Sequence, residues 1–249
     1  MQNADELLVK RFRELAERSY SRGIWTYSDF LDLAGQSDLM SAGLRTPCVL
    51  LGGFEGAERA VACFGSEELC GCAPSPPVRC VRVTPVSERF ADPLTHRDFL
   101  GSLMALGIKR ETLGDILLEG STGYILCLDR MAEYIRDTLT QVRHTTVTCA
   151  LCIGPPEDAF PRPERRSLNV ASLRCDAVTA AVYRLSRGES QELFRQKKVF
   201  VNSRLCADPS RELKEGDRVS VRGRGRYVFT GAAGETRKGR LRIETDVYA

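Results

Sequence analysis

Histidine is scarce in this chain, with only His96 and His144 among 249 residues. Enzymes that move protons most often use histidine, so little of that chemistry is open to this protein. The signatures of nucleotide sites are also missing. No Gly-Lys-Ser/Thr follows the glycine-rich segment 52–59, as a P-loop requires, and no Gly-x-Gly-x-x-Gly lies between a strand and a helix. We therefore expect a protein without a cofactor and without enzymatic activity.

Long apolar runs are absent as well. A membrane-spanning helix needs roughly 18 or more apolar residues in a row, and no segment approaches that length. The first twelve residues are charged and amphipathic, and they lack the apolar region of a secretory signal. These features predict a soluble, cytoplasmic protein with no membrane partner.

Ten cysteines are present, most of them inside apolar stretches, which favours buried free thiols in a reducing compartment. Two close pairs have spacings that resemble zinc ligands: Cys70 and Cys72, with Cys80 nearby, and Cys149 and Cys152. The last two fall in one predicted strand, where residues i and i+3 point to opposite faces. Because a structural zinc site needs its ligands to converge, we predict no metal site.

Two proline-rich segments, 73–77 and 154–163, divide the chain. Proline removes backbone donors and fixes φ, so such segments are typical of connections between domains. The sequence therefore predicts three domains, at 1–76, 77–160 and 168–249, each near the small end of the usual size range.

The first predicted domain is an α/β domain. Apolar residues at helical spacing predict a helix over 4–22, and a second helix is predicted over 28–34, with Ser28 as its N-cap and Gly35 as its stop signal. Segments 48–51 and 59–64 are typical of short strands, and the glycine-rich segment between them is typical of a hairpin turn.

The central domain has an alternating pattern. Strands are predicted at 78–86, 115–119, 123–128 and 145–153, and helices at 95–106 and 130–143. This β-α-β-β-α-β order is that of the ferredoxin-like fold, which RNA-recognition modules share. Those modules stack bases on aromatic residues of their sheet, whereas here only Tyr124 lies in the equivalent hairpin. The order alone is thus weak evidence for RNA contact by this domain.

Charge is concentrated near the C-terminus. Residues 171–249 hold 17 of the 36 basic and 10 of the 33 acidic residues, a balance of +7. The remainder holds 19 basic and 23 acidic residues, a balance of −4. A basic domain joined to a mildly acidic body indicates a polyanionic partner for that domain.

The C-terminal domain is predicted to contain two helices followed by strands. A helix over 173–183 is expected to bury Leu173, Ala177, Ala180 and Ala181, and a second helix is expected over 189–195. Segments 199–202 and 218–222 are typical of strands, the latter after a Gly-Asp turn.

Several ordered motifs in this region resemble the alpha-L (S4-like) RNA-binding domain. They are Arg174-x-Asp176, Ser186-Arg187-x-x-Ser190-Gln191-x-Leu193, Val199-x-Val201-Asn202 and Gly216-Asp217. The resemblance implies an angled pair of helices whose polar face meets the RNA backbone. The fold class expected for the whole chain is therefore α+β: an α/β domain, a ferredoxin-like (RRM-like) domain and an alpha-L domain.

The residue chemistry agrees with an RNA-binding face, because guanidinium groups bind phosphates bidentately and neutral polar groups bind sugars and phosphates. The residues predicted to bind RNA are Arg174, Ser186, Arg187, Ser190, Gln191, Lys197, Lys198, Asn202, Arg204, Arg222, Arg224 and Arg226. A second set with weaker support comprises His96, Arg97, Lys109, Arg110, Arg237 and Lys238. Asp176 is expected to be structural, holding an arginine or capping the first helix.

A resemblance also extends over nearly the whole chain. Segment 95–111 with 114–116 is similar to the middle-domain signature of the YlmH-type bacterial RNA-binding proteins, and segments 53–59 and 234–240 resemble their terminal motifs. The resemblance implies binding to rRNA of the large ribosomal subunit and to tRNA or peptidyl-tRNA. It also implies a role in ribosome-associated quality control, in which stalled chains receive C-terminal tails, beside other factors of that process.

Two other readings stay open at this point. One is an rRNA- or tRNA-modifying enzyme with a diverged active site in the first two domains, which an S-adenosylmethionine titration would test for the methyltransferase case. The other is an interaction protein linked to cell division, whose contacts would survive ribonuclease treatment of a lysate.

Overall fold

The computed structural model describes residues 2–88, 92–235 and 239–248. These residues form a mixed α+β protein whose paired strands are antiparallel throughout. The chain forms two compact units, Met1–Phe160 and Pro161–Ala249. None of the described helices combines the length and the apolar character that a membrane span requires.

The first unit opens with a small sheet and three helices. The elements are α1 (Gln2–Arg22), β1 (Thr26–Leu31), α2 (Leu33–Ser41), β2 (Cys48–Leu51), β3 (Ala60–Phe64) and α3 (Glu67–Cys70). The strands lie in the order β1-β3-β2, and α1 packs Phe12 and Leu15 against Phe64. The long first helix, both predicted strands and the hairpin between them are confirmed.

The predicted helix over 28–34 is wrong. Residues Thr26–Leu31 form a strand that pairs with β3, and the Ser28 hydroxyl accepts a hydrogen bond from the Ala62 amide instead of capping a helix. The helix begins later, at Leu33, where the Asp32 carboxylate accepts from the Gly35 amide. Gly35 therefore lies inside the helix and does not end it.

The remainder of the first unit is built around a five-stranded sheet. Its elements are β4 (Val78–Pro85), α4 (His96–Ala105), β5 (Leu113–Glu119), β6 (Thr122–Leu128), α5 (Asp129–Thr138), β7 (Gln141–Val142) and β8 (Thr145–Cys152), with short 3₁₀ turns at Arg110–Thr112 and Glu157–Ala159. The strand order is β5-β6-β4-β8-β7. The predicted β-α-β-β-α-β succession is present, but the helix expected over 130–143 ends at Thr138, and the short strand β7 follows it.

The two faces of this sheet are both covered near its centre. Helices α4 and α5 pack Phe99, Leu103 and Ile135 against one face. On the opposite face, Tyr124 and Leu126 belong to a buried cluster that includes Phe54, Ala159 and Phe160. The rings of Phe54 and Phe160 stack with centroids 5.2 Å apart and planes 11° from parallel.

The glycine-rich loop between β2 and β3 is what closes this second face. The Asp115 carboxylate of β5 accepts hydrogen bonds from the amides of Glu58 and Arg59, at 2.6 and 3.2 Å. The buried Arg59 guanidinium donates to the carbonyls of Leu113, Phe30 and Arg110. A side chain at Gly114 would place its Cβ only 2.8 Å from the Phe30 ring, so the small residue permits this close contact. The loop motif therefore has a structural role, because these bonds connect it to β5 and to β1.

The second unit contains two helices and a six-stranded sheet. Its elements are β9 (Glu164–Val170), α6 (Cys175–Tyr183), α7 (Arg187–Arg195), β10 (Val199–Val201), β11 (Arg204–Leu205), β12 (Arg218–Val221), β13 (Gly225–Glu235) and β14 (Leu241–Tyr248). The order is β11-β10-β12-β13-β14-β9. Both helices and the strands at β10 and β12 were predicted, whereas β9 was not.

The face of α6 that enters the core differs from the predicted one. The buried residues are Cys175, Asp176, Val178, Thr179 and Val182. The apolar ones pack in the cluster that contains Tyr227, whose hydroxyl lies 2.9 Å from that of Thr179. The predicted stripe of Leu173, Ala177, Ala180 and Ala181 is only partly buried. Valine buries more apolar area than alanine, so the valine stripe stabilises the folded unit more when it faces inward.

Candidate nucleic-acid interface

The first turn of α7 is held by a reciprocal cap. The Ser186 hydroxyl accepts from the Glu189 amide at 3.2 Å, and the Glu189 carboxylate accepts from the Ser186 amide at 2.8 Å. Such a box satisfies two amides that a helix start would otherwise leave without acceptors. These bonds lower the pKa of Glu189, and the positive charge of Arg224 lowers it further. Arg224 belongs to the β12–β13 turn.

Asp176, in the first turn of α6, joins the two helices. Its carboxylate accepts from Arg174 Nε at 3.0 Å and from Arg174 Nη2 at 2.8 Å. The Arg174 bonds are the main reason that the pKa of Asp176 lies below its usual value, and a bond from Gln191 lowers it too. The backbone carbonyl of Asp176 accepts from the Ser190 hydroxyl of α7 at 2.7 Å. One aspartate thus fixes both the angle of the helices and the direction of Arg174.

A groove of about 290 Å³ lies beside this junction. Its lining consists of Ala171, Ser172, Arg174, Asp176, Ala177, Ala180 and Arg187. Ala177 and Ala180, which were expected in the core, line the groove instead, and their small side chains allow a ligand to approach the helix backbone. Ala181 packs against the core. A guanidinium group is present from each helix region, since Arg174 precedes α6 and Arg187 opens α7. The groove therefore offers two guanidinium groups, one of them paired with Asp176, together with small alanine side chains.

Arg187 in the groove and the two lysines that follow α7 carry no ion pair. Among the residues that the structure describes, no carboxylate lies within ion-pair distance of Arg187, Lys197 or Lys198. Lys197 also has a φ of 55°, at the position after a helix end where glycine is preferred. Arg184 has the same left-handed conformation, with a φ of 53°, at the C-cap of α6.

Several predicted RNA contacts turn out to be engaged inside the protein. Ser190 is fully buried, so the expectation that its hydroxyl meets RNA is wrong. Gln191 donates to Asp176, as described above. The Asn202 amide donates to Asp217 at 2.7 Å, and its carbonyl accepts from the Arg218 amide at 2.9 Å. With φ values of 51° and 64°, Asn202 and Ser203 form the tight turn between β10 and β11.

The arginines after α7 are arranged along the sheet. Arg204 lies in β11, and Arg222 and Arg224 lie in the turn that links β12 to β13. The Arg222 guanidinium is 5.2 Å from the centroid of the Phe200 ring, and that of Arg226 is 4.6 Å from the Tyr248 ring. Stacking of this kind orients a guanidinium while its edge stays able to donate hydrogen bonds.

The second predicted set is divided between different roles. The Arg110 guanidinium donates to the carbonyls of Leu113 and Gly114 at 3.3 and 3.1 Å, which is a structural use, and burial lowers its pKa to about 10. Desolvation, and after it the charge of Arg110, lower the pKa of His96, which disfavours the charged imidazolium. Arg97 and Lys109 are exposed. Arg237 and Lys238 lie outside the described residues.

The central sheet does not present an aromatic platform. Tyr124 is only 7% exposed, and its hydroxyl donates to Glu119 at 3.0 Å. In RNA-recognition modules the bases stack on exposed rings of the sheet, and here the equivalent ring is covered by Phe54 and Phe160. RNA contact through stacking on this part of the sheet is therefore excluded.

The sequence missed one cation in the first unit. Arg143 was assigned to the end of a helix, but it lies in the turn between β7 and β8 with a φ of 52°. Its Nε is 3.6 Å from Asp98, in the first turn of α4. The threonine-rich segment after α5 favours a strand over a helix, and it could have indicated that Arg143 lies outside the helix.

The cysteine pairs are arranged as the strand geometry predicts. Cys149 packs with the cluster under α4 and α5, whereas Cys152 packs with the cluster on the opposite face. The ten thiols form no disulfide, and within the described residues no group of three or more candidate metal ligands converges. Burial raises the pKa of Cys149 to about 11 and that of Cys127 to about 12, so both stay protonated at neutral pH.

The geometry defines a class of protein: a two-unit α+β protein with a basic groove between two short helices. Residues 82–152 match the family model described as "Putative RNA-binding domain in YlmH". The chain is 32% identical over 222 residues to the "Ribosome-associated protein quality control protein P2" of Bacillus subtilis (strain 168), covering 87% of this chain and 84% of that protein. This chain belongs to the YlmH family. The solved structure of "Cell division protein ylmH from Streptococcus pneumoniae" matches 60% of this chain and 91% of that one, with a TM-score of 0.47 and 17% identity.

Proposed function

We propose that this chain is a non-catalytic RNA-binding protein that acts on the large ribosomal subunit during ribosome-associated quality control. The observation that carries the proposal is the groove at the α6–α7 junction, which has Arg174 and Arg187 at its sides and alanines between them. The RNA-binding description of the matching family model and the ribosome-associated role named for the Bacillus subtilis relative support RNA and the ribosome as the target.

The fold of each part supports this assignment. In the first unit, the strand order β5-β6-β4-β8 with two helices on one face is that of a ferredoxin-like domain, proposed to span 77–160 after an α/β domain at 1–76. In the second, the paired short helices followed by antiparallel strands support an alpha-L domain at 168–249. The motif residues Arg174, Asp176 and Ser186 all have a defined part in the helix junction.

The groove suits a sugar–phosphate backbone. Arginine binds phosphate oxygens bidentately, and the Ser172 hydroxyl is of the type that bonds sugars or phosphates. Lys197, Lys198 and Arg224 add positive charge to the same unit, which raises the local concentration of a polyanion. The alanine surface gives no pattern of donors and acceptors to distinguish bases, so we expect recognition of RNA shape and backbone.

The proposed targets are rRNA of the large subunit and a tRNA or peptidyl-tRNA held there. A protein that binds both would steady the tRNA while a stalled chain receives its C-terminal tail, since two contacts made through one protein are far stronger than either alone. The protein's role in this proposal is to position the tRNA, and the cations and the hydroxyl group of the groove are suited to that role. We place the protein in the cytoplasm with the ribosomes and expect it to act beside other quality-control factors.

Sedimentation in sucrose gradients tests the proposal. The full chain is expected to co-sediment with free large subunits, and best with subunits that still carry peptidyl-tRNA. A truncated chain that ends at Phe160, the boundary between the compact units, is expected to stay at the top of the gradient. Circular dichroism of the truncated chain controls for folding. If the folded truncated chain still travels with large subunits, the second unit is not the main anchor.

A further inference from the structure

A second groove, of about 480 Å³, lies in the first unit. Its walls are the exposed side of α4, where Arg97, Gly101 and Ala105 follow one another at helical spacing, and the segment 138–141 together with Arg143. Ser102, Thr138 and Thr140 place hydroxyl groups along it. Arg97 was among the predicted RNA contacts, whereas Arg143 and the groove itself were not.

The charges of the groove have a definite arrangement. The Asp98 carboxylate accepts from the amide and hydroxyl of Thr95, at 2.8 and 2.6 Å, and pairs with Arg143 at 3.6 Å. Over the described part of the chain, no carboxylate lies within ion-pair distance of Arg97. Two arginines and one aspartate therefore line the groove, and one of the arginines has its full charge available.

Arg143 is the first residue of the two-residue turn between β7 and β8, in which Val142 pairs with Thr145. Its φ of 52° is the left-handed conformation that the first central residue of such a turn adopts, and glycine would adopt it with less strain. The turn places the Arg143 side chain in the lining of the groove.

The design repeats that of the α6–α7 groove. There, Asp176 in the first turn of a helix holds Arg174, Arg187 carries no ion pair, and alanines lie between them. Here the Asp98 carboxylate lies 3.6 Å from Arg143 Nε, Arg97 carries no ion pair, and Gly101 and Ala105 line the groove. Both grooves combine the same three features, although the surrounding folds differ.

We propose that the α4 groove binds the sugar–phosphate backbone of structured RNA, with Arg97 and Arg143 contacting phosphates. The proposal rests on the proposed function, because it takes RNA as the polyanion. RNA-recognition modules bind RNA on their sheet, whereas in this proposal the RNA lies against α4 and the β7–β8 turn. The aromatic side of the sheet is closed by the loop that carries Phe54.

The test measures binding of the full chain to a fluorescein-labelled RNA stem-loop and to deproteinised rRNA of large subunits. Arg97→Ala and Arg143→Gly are each expected to weaken binding about three- to tenfold and to lower the slope of log K against log salt by ~0.7–0.9. Arg143→Gly is expected to melt no lower than the parent protein, because it removes backbone strain. Arg11→Ala, which removes one exposed charge from α1 in the same unit, is the matched control and should leave binding unchanged.

Parallel titrations of Arg187→Ala with Lys198→Ala separate this proposal from the proposed function. If that double variant binds weakly while both α4 variants bind normally, the groove proposal is overturned and the proposed function stands. If all variants bind normally, both fail. If the α4 variants bind naked RNA normally but lose intact subunits, the groove faces a ribosomal protein and the RNA proposal is overturned. Ultraviolet cross-links from the labelled RNA to peptides containing residues 97–105 or 138–143 support it.

Discussion

The ion pair between Arg174 and Asp176 can be compared directly with a second forked pair in the same unit. Arg174 donates to Asp176 at 3.0 and 2.8 Å, and Arg165 donates to Asp246 at 3.0 and 3.3 Å. The geometry is alike, but the exposure differs. The Asp176 side chain is 5% exposed and that of Asp246 is 20%, while Arg174 is 36% exposed and Arg165 is 70%. Burial should therefore decide how much each carboxylate stabilises the fold.

We expect Asp176→Asn to lower the free energy of unfolding of the second unit by about 2 kcal/mol at pH 7. A hydrogen bond to a charged group contributes ~1.5–3 kcal/mol, the asparagine keeps one acceptor, and solvent around Arg174 reduces the loss. Asp246→Asn is the matched control and should change stability little, because both members of the Arg165–Asp246 pair reach solvent.

The dependence on pH provides a second readout. The pKa of Asp176 in the folded protein lies below its ordinary value of 3.8, mainly because of Arg174. The charged carboxylate therefore stabilises the fold at every pH above the unfolded value, and this contribution is lost as the pH falls through the folded pKa. The difference between Asp176→Asn and the parent protein should be constant near neutrality and shrink in acid.

Urea unfolding followed by hydrogen exchange of α6 amides measures the second unit, while fluorescence of Trp25 reports on the first unit and should not change. Equal losses for Asp176→Asn and Asp246→Asn would refute the role of burial. A loss for Asp176→Asn that persists unchanged in acid would refute the electrostatic explanation.

Three further outcomes are expected. Arg187→Ala with Lys198→Ala should weaken RNA binding and lower the slope of log K against log salt by up to ~0.9 per lost contact on duplex, or ~0.7 on single strands; an unchanged slope would move the RNA site elsewhere. Metal analysis of protein purified without chelators should find no stoichiometric zinc, and a chelator should leave the melting temperature unaltered; one zinc per chain would contradict the reading of the cysteine pairs. Gly114→Ala should destabilise the first unit by about 1–3 kcal/mol, because its Cβ would lie 2.8 Å from Phe30, whereas Gly101→Ala, which faces open space, should not.

Strands with continuous apolar segments were predictable because their pattern has few alternatives. Cys48–Leu51 is found with the predicted bounds, and the hairpin of β5 and β6 is found within two residues. Thr26–Leu31 was missed because its serine and aspartate imitate a helix cap. Its pairing with β3, a contact over more than thirty residues of chain, decides the outcome, and local propensity does not contain that information.

The candidate site was predictable in its location but not in the use of each residue. The motif around α6 and α7 predicted the two helices that line the groove, and of the cations predicted to bind RNA there, Arg187 and Lys197 are exposed and Lys198 is half-buried. Which polar residues face inward depends on helix rotation. Two stripes of small apolar residues satisfy the helical period on α6, so spacing alone does not choose between them. Ser190 was misassigned for the same reason, because its burial follows from the side of α7 that meets Asp176.

The pairing of one held and one unpaired arginine has an energetic logic. Fixing a long side chain on binding costs ~0.5–1.5 kcal/mol, and an arginine already held by an aspartate has lost part of that freedom before RNA arrives. The same aspartate offsets part of the arginine's charge, so Arg174 and Arg143 attract a distant polyanion less than Arg187 and Arg97 do. A groove with one of each therefore combines long-range attraction with a preset geometry. Two arginines that are both paired with aspartate would provide only the preset geometry, and two unpaired arginines would provide only the long-range attraction.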